Sequence, residues 1–242
     1  MPLIDLANPT RFLNFANRAI PWLGGVTALL FAFAINQAMV APDDYQQGAT
    51  VKIMFLHVPG AWLGMLGWGL MTVAALGTLV WRHPLADVTA KAVAPIGAAF
   101  TVMCLLTGSL WGRPMWGTFW VWDARLTSVL VLLLLYLGVI ALWRTVEDPS
   151  RAARAAAILT LVGAIDLPVI KFSVDWWNTL HQPASVFRFG GPTIHPAILI
   201  PLLLMALAFT LLFATLVLAA MRNEILRRRV RTLRLMQASA TS

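Results

Sequence analysis

Residues 126–143 read LTSVLVLLLLYLGVIALW, eighteen positions without one Asp, Glu, Lys or Arg. A helix of that length and apolarity can cross most of a bilayer core about 30 Å thick. Five further apolar stretches flank it: Ile20–Val40, Pro59–Trp81, Ala92–Gly112, Ala155–Ile170 and Ala197–Met221. Of the six, only the fifth carries a charge, Asp166, and it is also the shortest. At 16 residues it must borrow Lys171 and Phe172 to span, with the lysine snorkelling outward. The 242-residue chain is 60% hydrophobic and 12% charged, against roughly half and a quarter in soluble domains. The reading is an all-α polytopic membrane protein, a single domain over residues 1–242, with six transmembrane helices and both termini on one side.

The basic residues orient it. Termini and even-numbered loops hold 13 Lys and Arg, and the odd-numbered loops hold 5, namely Lys52, Arg113, Arg125, Lys171 and Arg188. An excess of positive charge marks the cytoplasmic side, so both ends are expected there. That placement accounts for the net charge of +8 without nucleic acid. The first stretch is longer than a signal-peptide core and reads as a retained span. Six arginines lie in Arg222–Leu235, which reads as a short basic helix resting on anionic membrane lipid. The other use for such a helix is docking a cytoplasmic subunit.

Some chemistries are excluded. Cys104 is the only cysteine, so there is no intrachain disulfide, and no C-x-x-C-H exists for covalent haem attachment. No phosphate-cradling G-x-x-x-x-G-K-[ST] loop is present, so the chain is not itself an ATPase.

The outer side carries the unusual residues. Seven tryptophans (Trp62, Trp111, Trp116, Trp120, Trp122, Trp176 and Trp177) fall at or near it, against Trp22, Trp81 and Trp143 near the inner boundary. An aromatic belt is expected at both interfaces alike. The excess suits a platform for a flat apolar ligand. In Trp111–Thr127, Pro114 and Gly117 break the third helix, and Thr118–Arg125 is expected to form a surface helix. Positions 116, 119, 120 and 123 would then share a face. Asp123 either pairs with Arg125 or caps a helix, while Arg113 and Arg125 suit ligand carboxylates.

His57, in KIMFLHVPGAW, and His181, in WWNTLHQP, flank this tract on the same side. Pro59 reads as the first residue of the second helix. Two imidazoles beside an aromatic bed point to haem, which needs axial ligands and a wide apolar surface. His195 is a reserve ligand within a Gly/Pro turn, and His83 has no assigned role. Asp166 is left open, with Lys171 near enough to neutralise it.

The segment Trp111–Thr127 closely resembles the tryptophan-rich WWD motif of haem-handling membrane proteins. With the two histidine segments in the same order, the chain resembles the CcmC family of cytochrome c maturation proteins along almost its whole length. The motif commonly has tryptophan where this chain has Phe119. The resemblance implies a haem-delivery protein in the bacterial inner membrane, acting in c-type cytochrome biogenesis without being an enzyme. It implies haem b held at the periplasmic face by His57 and His181 as axial ligands, with Trp116, Trp120, Trp122 and Asp123 in the haem-facing platform. The implied partners are the haem chaperone CcmE, which bonds a haem vinyl group to its own histidine, and the ABC-type subunits CcmA, CcmB and CcmD. Arg113 or Arg125 as a propionate partner follows from charge complementarity. Two other classes compete: a b-type electron carrier, with its histidines inside the bundle, and a permease subunit of an ABC exporter that binds no haem.

Overall fold

The computed structural model describes residues 7–183 and 185–240. They form seven helices: α1 Pro9–Val40, α2 Met54–Leu79, α3 Ala86–Trp116, α4 Ala124–Thr145, α5 Pro149–Gly163, α6 Asp166–Trp176 and α7 Pro196–Ala240. Among the described residues there are six candidate crossings, with α5 and α6 together making one of them. The polytopic all-α architecture is therefore as the apolar pattern predicts.

The fifth crossing is broken, which the pattern of apolar residues did not reveal. α5 stops at Gly163 and α6 starts at Asp166. Pro168 explains the break: it has no N–H, and its ring would collide with the carbonyl of Ala164 in a continuous helix. It is tolerated in the first turn of α6, where backbone N–H groups lack intrahelical partners anyway. Trp68 from α2 packs at the break, donating from its indole N–H to the Thr160 carbonyl at 3.2 Å. No Asp166–Lys171 ion pair occurs, so the neutralising partner expected for Asp166 is not there, and Asp166 Oδ2 is buried without a hydrogen bond.

The centre of the bundle is the α2/α3 pair. A Cβ on Gly60 would lie 2.9 Å from Met103 Cε, and one on Gly64 would lie 2.7 Å from Thr101 Oγ1. This G-x-x-x-G spacing lets two backbones approach closely, the contact that drives helix association where no hydrophobic effect operates. Tyr136 of α4 donates to the Gly64 carbonyl at 2.7 Å and meets Trp68 edge-on at 4.8 Å, tying α4 to the same seam. α7 packs against α1, α2 and α3, with α1 on the outside. At the end away from the tryptophan tract, Glu224 of α7 takes Lys91 at 2.7 Å and Arg228 at 3.1 Å. Arg228 also reaches Asp87 at 2.7 Å. This network clamps α7 to the start of α3.

Two further expectations change. Pro59 lies inside α2, which begins at Met54 after a 3-10 turn over Ala49–Ile53, so it is not the first helical residue. A membrane helix tolerates the lost backbone bond because neighbouring helices re-satisfy the carbonyl. The basic tail is not a separate surface helix: it continues α7 without a break to Ala240.

Candidate functional site

α3 ends where Gly117 takes a left-handed conformation (φ +78°), which costs glycine little and closes the helix. The next residues do not form the expected surface helix. Residues 117–123 are irregular, with Thr118 Oγ1 donating to the Trp120 carbonyl at 3.2 Å. Asp123 then caps α4, its Oδ1 accepting the Leu126 amide at 2.7 Å. A segment fixed by a C-cap at one end and an N-cap at the other is too short to close a helix of its own. The shared face of positions 116, 119, 120 and 123 therefore does not exist as a helix face. Trp116, on the last turn of α3, and Trp120, on the loop, still reach one space.

That space is a cavity of about 550 Å³ between the ends of α2, α3, α4 and α6 and the α6–α7 loop, within the usual range for ligand sites. His57, His181, Trp116, Trp120 and Arg125 all line it. His57, in the first turns of α2, is 3.0 Å through Nδ1 from the Cys104 carbonyl. His181, from the α6–α7 loop, is 3.1 Å through Nδ1 from Asp123 Oδ2. A carbonyl and a carboxylate can only accept, so in both rings Nδ1 carries the proton. Nε2 of each neutral ring is then the basic nitrogen. Metal-ligating histidines characteristically donate their other N–H to a carbonyl or a carboxylate, the two partner types present here. Burial lowers the pKa of His181 below its ordinary 6.5, with Asp123 opposing the shift, so the ring is neutral at pH 7.

Close packing aims the rings. A Cβ on Gly108 would sit 2.8 Å from Cε1 of His57, so only glycine leaves that ring its place. Trp111 meets His57 edge-on at 5.7 Å, and Trp116 meets His181 at 4.8 Å. The indole N–H of Trp120 is buried with no hydrogen-bond partner, an unmet donor beside the cavity.

The remaining predicted residues divide. Asp123 contacts His181 and does not itself line the cavity, its side chain 5% exposed. Trp122 is 75% exposed and meets Trp120 edge-on at 5.4 Å, outside the cavity lining. Arg125 lines the cavity while its guanidinium holds Ser173 Oγ at 3.0 Å and the Ile170 and Lys171 carbonyls at 3.3 Å. Arg113 does not line it: it donates to the Gly117 carbonyl and stacks over Phe119 at 5.4 Å. His195 lies outside the cavity and accepts the Ala197 amide at 3.2 Å, holding the start of α7.

Sequence reasoning missed Lys171 and Arg188, exposed cations at the cavity, and Phe187 and Phe189 beside Arg188. The Phe-Arg-Phe tripeptide in a Gly-rich loop was the available signal. Among the described residues no group of three or more His, Cys, Asp or Glu gathers as a multidentate metal site. A pair of imidazoles suits instead a metal that arrives with four ligands of its own, as haem iron does.

A family model described as "CcmC: Heme exporter protein C" matches residues 2–236. The chain is 74% identical over 239 residues to "Heme exporter protein C" of Bradyrhizobium diazoefficiens, covering 99% of this chain and 91% of that one. It is 49% identical over 225 residues to the Escherichia coli K12 protein of the same name, covering 93% and 91%. The Paracoccus denitrificans protein of that name is 42% identical over 234 residues, covering 96% and 97%.

Proposed function

The chain belongs to the CcmC, "Heme exporter protein C", family, and we propose that it binds haem b in the cavity between α2, α3, α4 and α6 and hands it on during c-type cytochrome biogenesis. One observation carries this reading: His57 and His181 line a single aromatic-walled cavity, each with Nδ1 committed to an acceptor and Nε2 left as the basic nitrogen. Haem here is cargo. His57 and His181 would hold the haem iron, Trp116 and Trp120 would wall the ligand and exclude water, and the unmet Trp120 donor would find its partner there. Arg125, Lys171 and Arg188 supply positive charge for the propionates, and Asp123 keeps the His181 ring in its ligating tautomer.

The cavity faces the periplasm and both termini face the cytoplasm of the bacterial inner membrane, a reading supported by the 13-to-5 division of basic residues. The recipient is the chaperone CcmE, and CcmA, CcmB and CcmD complete the assembly. The chain supplies binding and positioning and no bond-making chemistry.

Alanine at both His57 and His181 tests the ligand assignment. Purified variant should lose haem or shift its Soret band; the same haem content with an unchanged Soret band overturns the pair. Pyridine haemochrome identifies haem b. Transfer is tested by mixing loaded protein with CcmE and looking for haem covalently bound to the chaperone; none formed sinks the delivery role. The rival b-type electron carrier gains one feature, since His57 stands within a spanning helix. His181 stands in a loop, and a reversible quinone-linked redox titration would be needed to favour that rival.

A further inference from the structure

α7 runs unbroken for 45 residues, about 67 Å at about 1.5 Å per residue, more than twice a bilayer core of about 30 Å. Its apolar span ends near Met221, so Arg231 and Arg234 stand about 15–20 Å further along the same axis. That is about twice the Debye length at physiological salt. A helix held coaxial with its membrane span therefore carries these arginines away from lipid headgroups, and anionic lipid does not account for them. The clamp of Glu224 and Arg228 on Lys91 and Asp87 keeps α7 in that direction at the membrane boundary.

The projecting part is patterned. Leu226, Val230 and Leu233 are 44%, 47% and 59% exposed, and their 4,3 spacing places them in one stripe. Arg227, Arg231 and Arg234 share the adjoining face at the same spacing, and from Asn223 to Ala240 the only acid is Glu224, which is already paired. Beside the stripe lies a groove of about 600 Å³, bounded by Leu233 and Met236, the first turn of α1 at Pro9 and Thr10, and Leu85 before α3. A helix with one apolar seam and one basic border, projecting into water, matches the half-site of a helix–helix interface.

We propose that the projecting end of α7 docks an amphipathic helix of a soluble protein on the membrane side opposite the cavity, a helix whose apolar seam is bordered by Asp or Glu. Charge complementarity sets this occupant: Arg227 already reaches Glu224 at 3.4 Å, but Arg231 and Arg234 meet no acid among the described residues, so a basic-bordered partner would be repelled and an uncharged one would leave these two unmatched.

The test uses the full chain in lipid nanodiscs and a fluorescein-labelled model helix with a leucine seam bordered by glutamates, followed by anisotropy. Wild type binds it; R227E/R231E/R234E binds it about tenfold more weakly or worse, and so does wild type at high salt. A lysine-bordered version of the probe binds the triple variant and not the wild type. Haem content of the triple variant stays at the wild-type level, which keeps this test separate from that of the haem site. Equal binding of the glutamate-bordered helix to both proteins overturns the proposal. A spin label at L233C, with Cys104 replaced by alanine, gives a second reading. Accessibility to water-soluble relaxers supports the projection, and a label found among headgroups of anionic nanodiscs assigns the tail to lipid and overturns it.

Discussion

Across 58 residues of chain, His181 donates from Nδ1 to Oδ2 of Asp123 at 3.1 Å, while Oδ1 of the same carboxylate caps α4. One acid thus sets both the start of a helix and the tautomer of an imidazole on a distant loop. The two duties are separable. Asn at position 123 retains a capping oxygen but removes the charge that steadies the imidazole. D123N is expected to lose about 10–100-fold in haem affinity, the usual worth of a ligand's orienting partner, with stability near wild type. Haem titration at the Soret band alongside thermal unfolding measures both; unchanged affinity would remove Asp123 from the site.

Gly108 has a matching role for His57. Alanine there places a Cβ 2.8 Å from the imidazole and tilts it, although alanine favours the helix. G108A should lower haem affinity by about tenfold or more, since ligating geometry tolerates only about half an ångström. Gly69 has nothing within 4 Å of its would-be Cβ, so G69A is the control and should bind as wild type does. If the two variants bind alike, packing at Gly108 does not aim the ring.

The indole N–H of Trp120 is buried and unpaired. Phenylalanine at this position removes the unmet donor and keeps an aromatic face. W120F should leave the haem-free protein no less stable and weaken haem binding about fivefold, the worth of one hydrogen bond of about 1 kcal/mol. Stability that falls while affinity holds would show that the indole is structural only.

Burial lowers the pKa of His181 from 6.5. Protonating a ring in that state is harder in the folded protein than in the unfolded chain. Between the lowered value and 6.5 the unfolded chain binds more protons, so stability rises with pH there. The contribution is intact above about pH 6.5 and declines as pH falls below it. Haem loading should follow the same direction, flat from about pH 8 to 6.5 and falling in more acidic buffer. Unfolding of H181A measured over the same range should depend less steeply on pH; an identical slope would assign the titration to another group.

Topology is checked with reporters that work only outside the cytoplasm. Fusions after Gly48 and Gly117 should be active, and one after Arg82 inactive. The reverse pattern would invert the orientation drawn from the basic residues.

The six crossings, and the gathering of tryptophan and histidine on one side, were legible in the chain itself. They depend on apolar length, loop charge and residue type, all of which are local in sequence. The family was legible for the same reason, since its motifs are contiguous strings. Sequence spacing alone did not disclose which side chains meet. The break before Asp166, the irregular 117–123 segment and the unbroken α7 depend on competition between caps, proline and packing against other helices. Asp123 with His181, the Cys104 carbonyl with His57, and Arg113 turned onto Phe119 are contacts between parts of the chain that only three-dimensional packing brings to one place. Local pattern determined the six-crossing architecture and the family; the tertiary structure decided the hydrogen-bond partners of the imidazoles and which cations face the cavity, because hydrogen bonds form between neighbours in space.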